Sequence, residues 1–295
     1  MSRERNSARS VPTRAIPTFL LGVLTAALTA SVSFGPLTAQ AQGAGDLVVS
    51  PTRVVLEGRT RSAQLGLVNK GSGTATYRIS VINMHMGENG SMTEVAKPVD
   101  GQQFADKLFR YSPRQVTLEP GASQAIRLLL RKPKDLPDGE YRSHIMMRAV
   151  PDAAGQSVES TGDGATVRLI PVFGIAVPII VRHGNVEYDM SLSDISFVPA
   201  TEQNPLPKIR FNLNRTGNRS SYGDLTATLM AGGKEVVLSE IFRLAVYTPN
   251  ASRTVEMSLR VPDGVKLSGN TIKVTYKTTS DEGAKLLAEG STVLP

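Results

Sequence analysis

The sequence predicts an all-β protein built from two β-sandwich domains, and three observations point to it. The chain has 295 residues, enough for two domains of roughly 100 to 200 residues each. From Asp46 onward, short runs alternate apolar and polar residues and are broken by Gly, Pro, Asn or Asp every ten residues or so, which is the spacing of strands and turns in sandwiches. No run with the 3.6-residue apolar period of a helix competes with them.

In the first half the strands are expected at 47–56, 62–69, 76–84, 115–118, 122–130, 141–150 and 166–181. Seven is the strand count of an immunoglobulin-like sandwich. The second half repeats the theme at 188–197, 208–214, 223–230, 235–244, 254–261, 271–278 and 286–293. The short polar connection Arg182-His183-Gly184-Asn185 separates the halves and sets the domains at 46–183 and 186–295. Within the first, residues 151–165 are rich in Gly, Asp, Ser and Ala, and a loop of that length without structure is usually functional or mobile.

Ahead of the strands, Arg3, Arg5, Arg9 and Arg14 precede an apolar stretch from Phe19 to Leu28 that leads to Ala39-Gln40-Ala41. A basic region, an apolar region and an A-x-A site make a secretory signal peptide, so residues 1–41 are expected to be removed on export. An uncleaved anchor competes, because the stretch from Ala15 to Gly35 approaches the roughly 20 residues of a membrane span. No later segment is apolar enough to span, so stable membrane insertion is not expected after cleavage. Removal takes four arginines and one glutamate and lowers the formal charge from +7 to +4.

Without Trp, with 5% aromatic residues and without a clustered basic face, nucleic acid is not an expected partner. The chain has no Cys, which excludes disulfide-stapled folds, thiolate metal sites and cysteine nucleophiles together. Stability is left to packed sheets.

The run 166–181 is unusual because both of its alternating sets are apolar. Val167, Leu169, Phe173, Ile175 and Val177 make one set, and Ile170, Val172, Ala176 and Ile180 the other. A half-solvated antiparallel strand needs only one. Pro171 and Pro178 cannot donate to a ladder, which places the strand at a sheet edge. A long apolar edge is an aggregation hazard, so its presence implies an edge meant to be paired by a partner strand, unless the second domain or the loop covers it.

Three segments carry a resemblance: SPTRVVLEG at 50–58, YSPRQVTLEPGASQAIRL at 111–128 and PDGEYRSHIMMRAVP at 137–151. With them the chain resembles the periplasmic pilus- and fimbria-assembly chaperones of the chaperone-usher pathway, whose two immunoglobulin-like domains meet in an L shape. The resemblance implies a periplasmic protein that stabilises pilus subunits by donor-strand complementation and delivers them to an outer-membrane usher. It further implies that Arg53 holds the C-terminal carboxylate of a subunit, while Val167, Leu169, Phe173, Ile175 and Val177 fill the subunit's groove. A guanidinium suits that task, being permanently charged and able to grip a carboxylate bidentately. The family pairs the arginine with a lysine late in the seventh strand, but Ala176 stands there, and no cation lies between Arg168 and Arg182. Without Cys, the chain is similar to the branch of the family that lacks a disulfide beside that strand.

No catalytic motif accompanies these features. G-x-S-x-G, G-x-x-x-x-G-K and G-x-G-x-x-G do not occur, and Gly232-Gly233-Lys234 reads as a hairpin turn. His85, His144 and His183 are widely spaced, so neither a metal nor another cofactor is expected, and the chain is not expected to be an enzyme. The alternative function is a secreted structural or adhesive sandwich that keeps the chaperone-like fold.

Overall fold

The computed structural model describes residues 46–151, 158–162, 165–169, 172–231 and 234–295. The expected signal segment at 1–41 lies outside them. The first half runs through β1 (Leu47–Ser50), β2 (Val54–Leu56), β3 (Ser62–Asn69), β4 (Ala75–Ile82), β5 (Met84–Met86) and β6 (Met92–Glu94). It continues through β7 (Phe109–Ser112), β8 (Gln115–Leu118), β9 (Ser123–Leu130), β10 (Gly139–Val150), β11 (Val158–Gly162), β12 (Ala165–Leu169) and β13 (Gly174–His183). One sheet has the order β1-β3-β9-β7 and the facing sheet the order β2-β13-β10-β4-β8.

The expected run at 47–56 is two strands in opposite sheets. Pro51 has no N–H to offer a ladder. The chain leaves β1 there and crosses over, and β2 then lies parallel to β13. The same change of sheet separates β7, which the alternation does not announce, from β8, with Pro113 between them. Between the sheets, Leu65 and Leu67 of β3 and Ile126 and Leu128 of β9 join a core with Tyr77, Ile79, Ile145, Met147, Val177, Ile179 and Val181. Fully covered side chains such as Leu65, Leu67 and Ile145 each contribute about 1.5 to 3 kcal/mol of transfer free energy.

The run at 166–181 is also two strands. β12 pairs with β11 in a separate hairpin, and β13 begins at Gly174. The stretch 151–165, expected to lack structure, therefore contains a strand; residues 152–157 and 163–164 lie outside the described residues.

The second half comprises β14 (Tyr188–Val198), β15 (Lys208–Gly217), β16 (Ser221–Ala231), β17 (Lys234–Val246), β18 (Ser252–Ser258), β19 (Thr271–Thr278) and β20 (Leu286–Val293), with a 3-10 turn at Ser280–Glu282. Its sheets have the orders β14-β15-β18 and β17-β16-β19-β20. Alternate residues Ile209, Phe211 and Leu213 of β15 pack with Leu225 and Leu229 of β16 and Ile272, Val274 and Tyr276 of β19. The fully buried Tyr276 donates its hydroxyl to the Leu244 carbonyl at 2.9 Å, so its polar tip is satisfied inside the core.

The sandwiches share a seam. Met86, Ile180, Ala245 and Tyr247 form a third apolar cluster, and residues 41–295 group into one unit. The β5–β6 hairpin acts as a strap across it. The Asn250 amide donates to the Met86 carbonyl at 2.9 Å, and the Thr254 N–H donates to the Glu88 carbonyl at 2.8 Å. Gly90, at φ 82°, lets the turn lie directly against the Arg253 guanidinium, where any Cβ would collide.

Candidate functional site

The edge of β13 is the first element of the site. On one side it pairs with β10 from Gly174 to His183. On the other, β2 accompanies it only at Ile179, Ile180 and Val181. From Gly174 to Pro178 no described strand lies on that side. Just before this open edge, Val172 and Phe173 are 49% and 54% exposed.

The two faces of β13 have different fates. Val177, Ile179 and Val181 point into the first core, and Ile175 packs against it half-buried. Ile175 and Val177, expected to fill a partner's groove, have their side chains turned toward the protein's own sandwich. Ile180 faces the seam with Met86 and Tyr247, while Ala176 and Pro178 face a cleft described below. The apolar second set is therefore covered in part by the second sandwich. Of the other expected groove residues, Phe173 is exposed, and the side chains of Val167 and Leu169 lie outside the described residues.

Arg53 stands between β1 and β2, immediately before Val54, the residue opposite Ile179. It marks the point where β2 begins, beyond which the edge of β13 is open. Its guanidinium lies 4.0 Å over the Tyr222 ring, a contact of about 0.5 to 2 kcal/mol. Its Nε and Nη2 are buried without a hydrogen-bond partner.

A second guanidinium occupies the same seam. Arg142, on β10 opposite Ile180, is 3% exposed and sits 3.8 Å over the Tyr247 ring. Its Nη2 donates to the Met84 carbonyl at 3.2 Å, while Nε and Nη1 are buried without partners. Burial lowers its pKa to about 10, with the Arg53 charge acting in the same direction and Tyr247 and Glu140 opposing. It stays protonated at neutral pH. The seam is consequently a positively charged region lined by tyrosines, even though β13 itself carries no cation before Arg182.

Arg182 is held differently. Its Nε meets Glu140 Oε2 at 3.0 Å and its Nη1 meets Glu57 Oε2 at 2.9 Å. The other Glu140 oxygen accepts from Ser220 Oγ, which itself accepts from the Thr248 N–H at 2.9 Å. This chain of hydrogen bonds joins β10 and β13 to the second sandwich. The Arg182 hydrogen bond outweighs burial and holds the Glu57 carboxyl below its ordinary range.

Beside the seam lies a cleft of about 420 Å³, lined by Met84, Met86 and Met92 of the strap, His144 of β10, Ala176 and Pro178 of β13, and residues of β17 and β18. Phe242, 64% exposed, stands at its wall.

No family model matches the chain, and no curated protein matches it. Solved structures do. The YadV chaperone is similar over 84% of this chain and 100% of its own, at 16% identity and a TM-score of 0.42. The chaperone DraB of E. coli is similar over 84% of this chain and 96% of its own, at 16% identity and a TM-score of 0.40. The pre-assembly complex of CsuC with the tip adhesion subunit CsuE, from archaic chaperone-usher pili of Acinetobacter baumannii, matches over 83% of this chain at 11% identity and a TM-score of 0.40. Among the similar solved structures are further chaperones, CfaA of class 5 fimbriae and the periplasmic SfaE.

Arg142, Tyr222, Tyr247 and the methionine strap were not singled out in the sequence. On β10, Glu140, Arg142 and His144 alternate with Tyr141, Ser143, Ile145 and Met147, the pattern of a solvated face. All three are buried. The available signal was the concentration of charge on a strand also rich in apolar residues, which only the second sandwich explains.

Proposed function

We propose that the protein is a periplasmic chaperone that captures pilus or fimbrial subunits on the open edge of β13 and passes them to an outer-membrane usher. One relationship carries this reading: Arg53 closes the end of an unpaired strand edge. A partner strand laid along Gly174 to Pro178 in line with β2, and parallel to β13 as β2 is, would run toward Arg53 and end there. A free C-terminal carboxylate at that end would find the guanidinium, and carboxylate–guanidinium contacts fix register as well as adding energy. Main-chain hydrogen bonds along the edge would supply affinity without demanding a particular partner sequence. Exposed Val172 and Phe173 would add apolar contact at the far end.

Co-expression with a fimbrial subunit, followed by co-purification, tests this. The parent should retain the subunit, and a subunit lengthened by a few residues at its C-terminus should escape, because its carboxylate overshoots Arg53. Equal retention of the lengthened subunit would remove the carboxylate anchor. Failure to retain any subunit, with the folded protein binding a cell-surface ligand, would favour the adhesive alternative.

A further inference from the structure

The strap between the sandwiches carries a donor set that the proposed strand capture does not use. Met84 and Met86 are two residues apart on β5, so they project from one face. Met86 is the register partner of Met92 on β6, and directly opposed residues hold their Cβ atoms about 4.5 to 5.5 Å apart. Three thioethers therefore share one face of a two-stranded hairpin. That face lines the cleft, and His144 lines it as well.

His144 is 3% exposed, and its Nδ1 is buried with no hydrogen-bond partner. A neutral imidazole keeps an acceptor lone pair on one ring nitrogen, which can serve a metal as a ligand. Lone buried imidazole nitrogens are costly unless something completes them.

The chemistry of the set is selective. Thioethers are soft donors that favour Cu(I), and imidazole suits copper as well. Every donor is neutral. The cleft includes Arg243 and Arg253 and no carboxylate among its lining residues. A hard divalent cation would meet the charges of Arg243 and Arg253, with that of Arg142 bearing on His144, and no oxygen anion. A soft monovalent ion meets less repulsion and better-matched ligands.

We propose that this cleft binds one Cu(I) ion through the thioethers of Met84, Met86 and Met92 and the imidazole of His144. None of the four ligands belongs to β13, although Ala176 and Pro178 line the same cleft.

The test is an anaerobic titration of the purified protein with Cu(I) in competition with bicinchoninate. The parent should withdraw one equivalent. Met92→Leu, a volume-conserving change at a half-buried position, and the Met84→Leu/Met92→Leu double variant should keep the parent's thermal midpoint. The double variant should bind at least about tenfold more weakly, since even changes behind the ligands commonly cost that much. The ε-methyl resonances of Met84, Met86 and Met92 should shift together on addition of one equivalent, and those of Met190 and Met257 should not. Failure of the parent to compete with bicinchoninate, a folded double variant that binds like the parent, or equal binding of Zn(II) would each overturn the proposal.

Discussion

Arg182 of β13 and Glu140 of β10 are register partners on neighbouring strands, and their side chains meet at 3.0 Å with the Glu140 side chain wholly buried. The same carboxylate reaches Ser220 of the second sandwich. One ion pair thus fixes the end of β13 and ties it to the seam.

Removing one member of that pair should be costly. Arg182→Met leaves the Glu140 charge buried with only a hydroxyl beside it, and breaking a buried pair typically costs about 3 to 5 kcal/mol. The Arg182→Met/Glu140→Leu double variant, which buries no charge, should recover most of that loss in urea unfolding. Equal destabilisation of single and double variants would show that the seam depends on the hydrogen bonds to Ser220 and Glu57 instead.

Stability should fall on acidification in two stages. His144 has a folded pKa depressed to about 3 by burial first and by Arg142 second, against roughly 6.5 when unfolded. Below the unfolded value the unfolded chain gains a proton that the folded chain refuses, so stability drops by up to about 1.4 kcal/mol per pH unit as pH falls from 6.5 toward 3. Glu57, also depressed, adds its loss at lower pH, as the pH passes below its unfolded value toward the folded one. Chemical unfolding of the parent and of His144→Gln between pH 5 and 8 checks this, at values chosen to bracket the imidazole. The variant's curve should be the flatter.

Phe173 and Val177 should separate capture from folding. Phe173 is 54% exposed and Val177 is 2% exposed. Phe173→Ser should weaken subunit retention while leaving the thermal midpoint nearly unchanged, because surface substitutions fall mostly within about 0.5 kcal/mol. Val177→Ser should destabilise the first sandwich by roughly 1 to 3 kcal/mol, because it strips apolar packing from the core and buries a hydroxyl there. Reversed outcomes would place Phe173 in the core of the working protein.

Arg53→Ala should give a folded, soluble protein that no longer protects its subunit. Removing one partner of a buried charge contact costs about 2 to 5 kcal/mol in binding. Arg53→Lys should restore capture only in part, since an ammonium lacks the bidentate fork. Subunit co-purification measures both. Undiminished capture by Arg53→Ala would rule out the anchor.

Much of the sandwich pattern was legible in the sequence. Period-two alternation in β3, β9, β15 and β19 matches the buried sets Leu65/Leu67, Ile126/Leu128, Ile209/Phe211/Leu213 and Ile272/Val274/Tyr276, because each strand packs one face on a core and turns the other outward. The breaks at Pro51 and between β12 and β13 were less legible. Alternation continues through a change of sheet, and nothing local says which sheet a strand will join.

What the sequence determined by itself is the all-β architecture, the apolar character of β13 and the presence of a guanidinium at position 53. Tertiary structure alone decided where those features act. Val177 turned inward because the second sandwich and the strap already cover the opposite face at Ile180. Arg142 and His144, which alternate like solvated residues, became buried beneath Tyr247 and the methionines of the strap. Burial of a β-strand's second face depends on a body more than a hundred residues distant in the chain, as Tyr247 is from Arg142, and a period of two carries no information about that body.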